Sequence, residues 1–353
     1  MKNNKYSEIE EILRTEILSG KLCQSLPPER KLAERFGVSY LTVRRAVGNL
    51  VEKGLLSREH GRGIFVSTPD REVTRTSGLG FVVPERVLGA MGNISPFYLE
   101  IFSGAVFQAQ KYGYHLIIES DIEKLVPLGN KGGARKVDAI LAVSTDYPEV
   151  FHEAAKFVPV VMLGYNYSGG NFPSVFIDDF AGAQKAVNHL IAKGHRRIAH
   201  VVENKQNMSF YSRLCGYRKA LEDAGIELRP EYEIPNRTGY EEALFALMRG
   251  ENPPTAVFCA NDGSGLHIIK EAPNYGLKVP DDISIVGFDN LFYSALSVPG
   301  LTTIAVPKLE IGVRGVDKAV SYLEKNLLPK DFREEIKLEL IIRESVKSLG
   351  VSK

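Results

Sequence analysis

The residues of this sequence best suited to chemistry are cations. Arg44 and Arg45 stand side by side in a stretch where Val43, Val47 and Leu50 recur at helical spacing, so Leu41, Arg44, Arg45 and Gly48 fall on the opposite, outward face. Further on, His60-Gly61-Arg62-Gly63 separates two β-prone runs, Leu55–Arg58 and Ile64–Val66, which puts a second basic group at a hairpin tip. A guanidinium meets a phosphate, or the O6/N7 edge of guanine, with two hydrogen bonds at once, so such a surface could grip a polyanion. A solvated cationic face is the plainer reading of the same pattern.

Catalytic and cofactor signatures do not accompany these cations, so neither enzyme chemistry nor a cofactor is expected. His189, His195 and His200 fall close together at a spacing that fits no usual zinc motif. The loop Gly129–Gly133 lacks the order of a phosphate-binding loop, and Gly78-Leu79-Gly80 is followed by Val83 where a dinucleotide fingerprint needs glycine. No G-x-S-x-G nucleophile elbow occurs. Cys23, Cys215 and Cys259, odd in number and without a C-x-x-C, fit reduced thiols better than a disulfide framework.

The elements that must position the cations occupy only the first fifth of a 353-residue chain whose length suggests two or three domains. With 44% hydrophobic and 25% charged residues, the chain is an ordinary globular composition. Met1–Tyr6 leads into a charged helical pattern without an apolar signal core, and no eighteen apolar residues run together, so a cytoplasmic protein off the membrane is expected. The net charge of +1 conceals an uneven split. Residues 1–75 hold 14 Lys+Arg against 10 Asp+Glu, and the remainder holds 30 against 33.

Tyr6–Ser19 reads as a helix burying Ile9, Ile12, Leu13 and Ile17. A second helix starts after Pro27-Pro28, buries Leu32, Ala33 and Phe36, and stops at Gly37; Ser39 has the side chain to cap a third. Ser67–Ser77 is polar, contains proline and lacks periodicity, which marks a linker. From Gly78 the pattern changes. Apolar runs at Leu79–Val83, Leu116–Ile118, Ala139–Val143, Val158–Leu163, Ile198–Val202, Ala256–Cys259 and Ile283–Phe288 alternate with helical stretches, which implies parallel sheets covered on both faces. A region this long exceeds one core, so two α/β lobes are expected.

Leu26–Val66, LPPERKLAERFGVSYLTVRRAVGNLVEKGLLSREHGRGIFV, resembles the GntR-family winged helix-turn-helix in its L-A-x-x-F-G-V-S turn, T-V-R-R-A helix and H-G-R-G-x-F-V wing. The resemblance implies that Arg30, Thr42 and Arg44 bond phosphates or base edges of double-stranded operator DNA, with Arg45 a further candidate from its outward face. It also implies that Ser39 caps the recognition helix and that His60, Gly61 and Arg62 lie along the minor groove or backbone. One position departs from the family pattern. Where an arginine commonly follows the turn serine, this chain has Tyr40 and then Leu41, which can offer a hydroxyl to phosphate and an apolar surface to a thymine methyl, so an altered operator is expected.

The rest of the chain resembles the effector domain of LacI/GalR-type repressors, a two-lobed fold shared with periplasmic sugar-binding proteins. The match is carried by Ser95-Pro96-Phe97-Tyr98, Asp138-Ala139-Ile140-Leu141, HLIAKGHRRIAHV from His189, Arg213 in R-L-C-G-Y, PTAVFCAND from Pro254, VPDDISIVGFDN from Val279 and LTTI from Leu301. A GntR head fused to this domain is similar to the arabinose-repressor-like regulators. The resemblance implies ligand contacts from Arg213, Asn261 and Asp289, with Tyr240 as a stacking ring and Phe97 or Tyr98 closing the other face. Asp262 falls in the same set, although an aspartate opening a helix also serves as its cap.

The expected architecture is α/β with an N-terminal winged helix-turn-helix over 1–68, a linker over 69–77, and a two-lobed periplasmic-binding-protein-like sensor over 78–353. Lobe 1 is expected at about 78–177 and 306–328, and lobe 2 at about 178–305 and 329–353. The expected function is a homodimeric DNA-binding repressor of carbohydrate-utilisation genes controlled by a small sugar, with a monosaccharide as the effector. A non-sugar metabolite such as a nucleobase is the alternative effector. A ligand-binding protein without a regulatory role, or a regulator carrying an aminotransferase, are rivals from other classes.

Overall fold

The computed structural model describes residues 5–18, 22, 26–52, 55–59, 63–66, 76–84, 95–126, 135–143, 148–165, 172–204, 207–237, 239–325 and 333–350. The chain divides into two units, Met1–Arg75 and Thr76–Lys353.

In the first unit, apolar residues at helical spacing produce α1 (Lys5–Leu18), α2 (Glu29–Phe36) and α3 (Tyr40–Glu52), and the β-prone runs pair as an antiparallel hairpin of β1 (Leu56–Glu59) and β2 (Gly63–Val66). Their core is Ile9 and Leu13 of α1, Leu32 of α2, Val43, Val47 and Leu50 of α3, and Leu56 of β1. The turn between α2 and α3 depends on Gly37. At φ +61° it takes a left-handed conformation in which glycine avoids the Cβ clash, and its N–H and that of Val38 close the end of α2 on Glu34 and Ala33. Ser39 Oγ then accepts from the Thr42 N–H at 3.3 Å, the cap expected of it. Across the helices, Arg35 of α2 pairs with Glu16 of α1, and Asn49 Nδ2 of α3 donates to Glu10 Oε2 of α1 at 2.8 Å.

In the second unit, strands and helices alternate: β3 (Gly78–Val82), α4 (Pro96–Lys111), β4 (His115–Glu119), β5 (Ala139–Ala142), α5 (Pro148–Ala154), β6 (Val160–Gly164), β7 (Ser174–Ile177), α6 (Asp179–Ala192), β8 (Ile198–Val202), α7 (Met208–Asp223), β9 (Glu233–Pro235), α8 (Tyr240–Met248), β10 (Ala256–Cys259), α9 (Asp262–Glu271), β11 (Ser284–Asp289), α10 (Phe292–Leu296), β12 (Thr302–Ala305), α11 (Lys308–Lys325), β13 (Arg333–Ile336) and β14 (Glu339–Ile341). They build two six-stranded sheets ordered β13-β7-β6-β5-β3-β4 and β14-β12-β11-β10-β8-β9. Every pairing is parallel except β12 with β14.

The chain passes between the sheets after Ile177, between Ala305 and Lys308, and between Ile336 and Glu339. The first two passages fall near the expected boundaries, whereas the third lies later than expected. Residues 333–336, expected in lobe 2, form β13 on the edge of the first sheet and pair with Ser174–Ile177. The sequence hides this strand because REEI is mostly charged and only Ile336 is buried. Where α11 enters lobe 1 it packs on α4 with almost no side chain between them; a Cβ at Gly104 would come within 2.1 Å of the Leu309 carbonyl oxygen. The end of the expected linker is tied down. Asp138, buried at the start of β5, accepts from the Thr76 and Ser77 N–H groups at 3.2 and 3.0 Å. The linker's earlier residues, 69–75, lie outside the described residues.

Candidate functional sites

The first candidate site is the outward face of α3. Burial of Val43, Ala46, Val47 and Leu50 leaves Tyr40, Leu41, Arg44 and Arg45 exposed. Arg30 on the first turn of α2 is also exposed. The residues are not equally available. The Arg45 guanidinium lies 4.3 Å from the ring centre of Tyr6 on α1, a cation–π contact that joins α3 to α1, and the Thr42 hydroxyl is 2.8 Å from the Ser39 hydroxyl. Arg30 and Arg44 have no partner among the described residues. His60, Gly61 and Arg62, expected on the wing, lie outside the described residues.

The second candidate site is a cleft of about 490 Å³ between the two sheets of the second unit. It sits at the carboxyl ends of the strands, where open α/β sheets take their ligands. Lobe 2 lines it with Asn207, Ser209, Phe210 and Arg213 of the α7 region, Asn261 before α9, and Asp289 at the end of β11. Lobe 1 contributes Phe97 and Tyr98 from the first turn of α4, Tyr165, and the aliphatic wall Pro84, Val143, Leu163 and Ile177. Polar groups and apolar surface thus face each other across the space.

Arg213 is the pivot of the polar side. It is only 4% exposed, and Nε donates to Asp179 Oδ1 at 2.8 Å while Nη1 donates to the Ala260 carbonyl and stands 3.4 Å from Asp289 Oδ1. Its planar face lies on Phe288, with Cζ 3.7 Å from the ring centre. Burial works against the charge, but Asp179 and Asp289 outweigh it and hold the guanidinium above its ordinary pKa. These restraints engage Nε and Nη1, with the Asp289 carboxylate next to Nη1, and no hydrogen bond engages Nη2 among the described residues. A donor pair next to an acceptor suits a hydroxyl, which needs both.

Asp289 is held in an unusual backbone. Its φ of 116° and the 51° of Asn290 lie in the left-handed region, a conformation that costs of order 1–3 kcal/mol per residue and persists only when its surroundings impose it. Lys308, on the first turn of α11 and only 3% exposed, imposes it by donating to the carbonyl oxygens of Asp289, Asn290 and Val306, while its ammonium lies 3.4 Å from Glu100 Oε2 on α4. Arg343 adds a bond from Nη2 to Asn290 Oδ1 at 2.8 Å. Burial pushes the Asp289 carboxyl up to about 7, aided by Asp262 and Asp179 and opposed by Arg213 and Lys308.

Of the residues expected to bind ligand, Phe97, Tyr98, Arg213, Asn261 and Asp289 converge on the cleft, and Tyr240 and Asp262 do not line it. Tyr240 opens α8 behind the second sheet, 9% exposed among Val257, Leu244 and Phe245, with its hydroxyl donating to the Ser264 carbonyl at 3.3 Å. It is a core residue because α8 turns its apolar face to the sheet. Asp262 is fully buried and accepts from the Leu291 N–H, the Ser294 hydroxyl and the Thr303 hydroxyl, so it fastens α9 to the strand-end loop that carries Asp289. Asn261 is largely committed as well. Its Oδ1 caps α9 through the Ser264 N–H at 2.9 Å, and Nδ2 donates to Glu203 Oε1 at 2.7 Å.

Asp179 and Lys308, which hold Arg213 and the Asp289 backbone in place, are residues that the sequence reading passes over. A signal existed for each: Asp178 and Asp179 open one helix although Asp178 alone caps it, and a lysine on a helix's first turn opposes the helix dipole. Asn207, Ser209 and Phe210 were not singled out either; Asn207 is the N-cap of α7. The three histidines are structural where they are bonded. His195 bridges Thr255 Oγ1 and the Lys347 carbonyl at 3.0 and 3.1 Å, and His200 is stacked between Tyr217 and Phe258. Among the described residues no group of histidine, cysteine and carboxylates could hold a metal ion, and no helix is long and apolar enough to cross a membrane.

Comparison with known proteins covers both units. Residues 5–66 match the family of bacterial regulatory proteins, gntR family, and residues 187–346 match the periplasmic binding protein-like domain. The chain is 28% identical over 376 residues to the arabinose metabolism transcriptional repressor of Geobacillus stearothermophilus, covering 98% of each chain. It is 30% identical over 327 residues to the HTH-type transcriptional repressor CytR of Escherichia coli strain K12, covering 87% of this chain and 89% of that one. A crystallised transcription regulator from Lactobacillus plantarum superposes with a TM-score of 0.65 at 26% identity, covering 77% of this chain and 100% of the other. A cationic helix-turn-helix head and a two-sheet cleft built around Arg213 and Asp289 thus place this chain in the family of bacterial HTH-type transcriptional repressors, as a DNA-binding regulator that joins a gntR-type head to a LacI-like, periplasmic-binding-protein-like domain.

Proposed function

We propose that the protein is a cytoplasmic, homodimeric repressor of carbohydrate-utilisation genes whose hold on operator DNA is set by a small, uncharged, polyhydroxylated effector, a monosaccharide in its simplest form. The observation that carries the effector class is the Arg213–Asp289 pair: buried, rigid, and presenting donors beside an acceptor at the cleft. Arg213 is the single cation among the described lining residues, and two carboxylates already face it. A phosphate would find no uncompensated positive charge there, so an unphosphorylated ligand is favoured. The rings of Phe97, Tyr98 and Phe210 offer faces for the apolar side of a sugar. The name of the Geobacillus relative, which covers nearly the whole chain, supports a sugar such as arabinose.

Two heads on a homodimer engage two half-sites of a pseudo-palindrome. An effector held by Arg213 and Asp289 on lobe 2 and by the aromatic wall of lobe 1 binds best when both lobes touch it, so it stabilises one lobe arrangement over the other. The operator affinity changes by that differential affinity, typically about 1–3 kcal/mol. One observation favours the alternative of a nucleobase-bearing effector: Pro84, Val143, Leu163 and Ile177 give lobe 1 more aliphatic surface than a lone sugar ring requires. A thermal-shift panel of pentoses, hexoses, their phosphates and nucleosides, followed by operator mobility shift with each hit, tests both. Stabilisation by phosphosugars alone, or by none of the panel, sinks the proposal.

A further inference from the structure

We propose that Leu41 is a specificity-determining residue of the DNA-binding head: its side chain packs on the 5-methyl group of a thymine that neighbours the guanine met by Arg44 in each half-site. The inference rests on the reading of α3 as the groove-facing helix and goes beyond it by making Leu41 a determinant of specificity and setting its thymine next to the guanine of Arg44.

Leu41 is 71% exposed, more than the other exposed large apolar residues of the head, Tyr40 at 40% and Ile12 at 39%. It finds no apolar partner within its own unit's core, so it is a large apolar side chain waiting on the face turned to the groove. The remainder of that face narrows the choice of reader. Arg45 is engaged with Tyr6, and the Thr42 hydroxyl with Ser39. Gly48 ends the stripe without a side chain, and a Cβ there would meet nothing within 4 Å. Among the described residues Leu41 and Arg44 are therefore, with Tyr40 at the start of the helix, the uncommitted side chains of that face, and Leu41 is the most exposed apolar one. Three residues apart on a helix, Leu41 and Arg44 are about 5–6 Å from each other at Cβ. That separation lets two side chains reach adjacent base pairs, which rise about 3.4 Å along the strand. Thymine alone among the four bases presents a methyl group in the major groove, and a guanidinium pairs best with guanine, so the pair reads a thymine next to a guanine.

The test uses the full-length protein and a duplex enriched by it from a random-sequence library. Enriched half-sites are expected to contain a thymine adjacent to a guanine. Replacing that thymine by uracil, which removes only the methyl group, should weaken binding about fourfold. Leu41→Ala should bind the thymine duplex about fourfold more weakly and be indifferent to the uracil exchange, while Leu41→Met should keep the sensitivity. Enriched sites without a thymine beside guanine, or Leu41→Ala discriminating thymine from uracil as the unsubstituted protein does, overturn the proposal. Leu41 is outside the core, and circular dichroism of the variant confirms that its fold is retained. Failure to enrich any duplex would overturn the groove-facing reading together with this one.

Discussion

Nη1 of Arg213 lies 3.4 Å from Oδ1 of Asp289, and the backbone of Asp289 is pinned from behind by the ammonium of Lys308, which belongs to the other lobe. One side of the effector cleft is thereby anchored to the first turn of α11, the helix that follows the second passage between the lobes. Any displacement of α11 relative to β11 must move the carbonyl that Lys308 holds, and with it the carboxylate that faces the ligand.

Asp289→Asn should abolish the response to effector while leaving operator binding intact. The amide keeps the volume but removes the negative charge that faces Nη1 and replaces one of the two acceptor oxygens with a donor. Mobility shifts with and without effector measure both properties. Loss of operator binding at the same time would assign Asp289 to folding instead.

The elevated carboxyl of Asp289 gives a pH dependence of known sign. A folded-state pKa near 7, above the ordinary value of 3.8, favours the protonated form in the fold, so this group's stabilising contribution is complete below about pH 4 and is lost as pH rises toward 7. An effector hydroxyl that donates to the ionised carboxylate binds with the opposite trend. Its affinity should rise between pH 6 and pH 8 and level off above, and calorimetric titration across that range checks it. A flat profile would show that Asp289 is already ionised in the empty cleft.

Asp179→Ala should cost about 3–5 kcal/mol in urea unfolding of the second unit, the usual consequence of leaving a buried charge with half its compensation. The same change frees Nε of Arg213. Effector affinity should therefore fall even at temperatures where the variant is fully folded.

Arg44 and Arg45, adjacent in sequence, should behave differently. Arg44→Ala should cost about 1–3 kcal/mol of operator affinity and relax the preference for guanine, and a loss confined to about one unit of the salt-dependence slope would show instead that it neutralises a phosphate. Arg45→Ala should act chiefly on stability, by about 0.5–1 kcal/mol, through loss of the Tyr6 contact. Fluorescence anisotropy at several salt concentrations and chemical denaturation separate the two effects.

Gly48→Ala should stabilise the head by about 0.5–1 kcal/mol, because helix-interior glycine carries that entropic cost and the added methyl meets nothing. Thermal denaturation of the full chain measures it. A decrease would mean that Gly48 answers a packing requirement.

Much of this was legible in the chain itself. Helical spacing of Val43, Val47 and Leu50 put Arg44 outward, glycine at position 37 fixed the turn, and unbroken apolar runs announced parallel strands, because each of these is a local consequence of side-chain type and backbone geometry. Arg213, Asn261 and Asp289 were named through a resemblance, and the fold brings them to one cleft. Strand β13 escaped notice because a charged edge strand owes its place to its neighbour Ser174–Ile177 and not to its own apolar content. Tyr240 was misplaced for a related reason: an aromatic ring suits a core and a binding platform equally, and only the packing of α8 on the sheet chose between them. Asp179, Asp262 and Lys308 show what tertiary structure alone decides. A charged residue's role depends on which charge, carbonyl or donor the folded chain brings to it, and these partners lie 34, 41 and 19 residues away in sequence, beyond the reach of any local pattern.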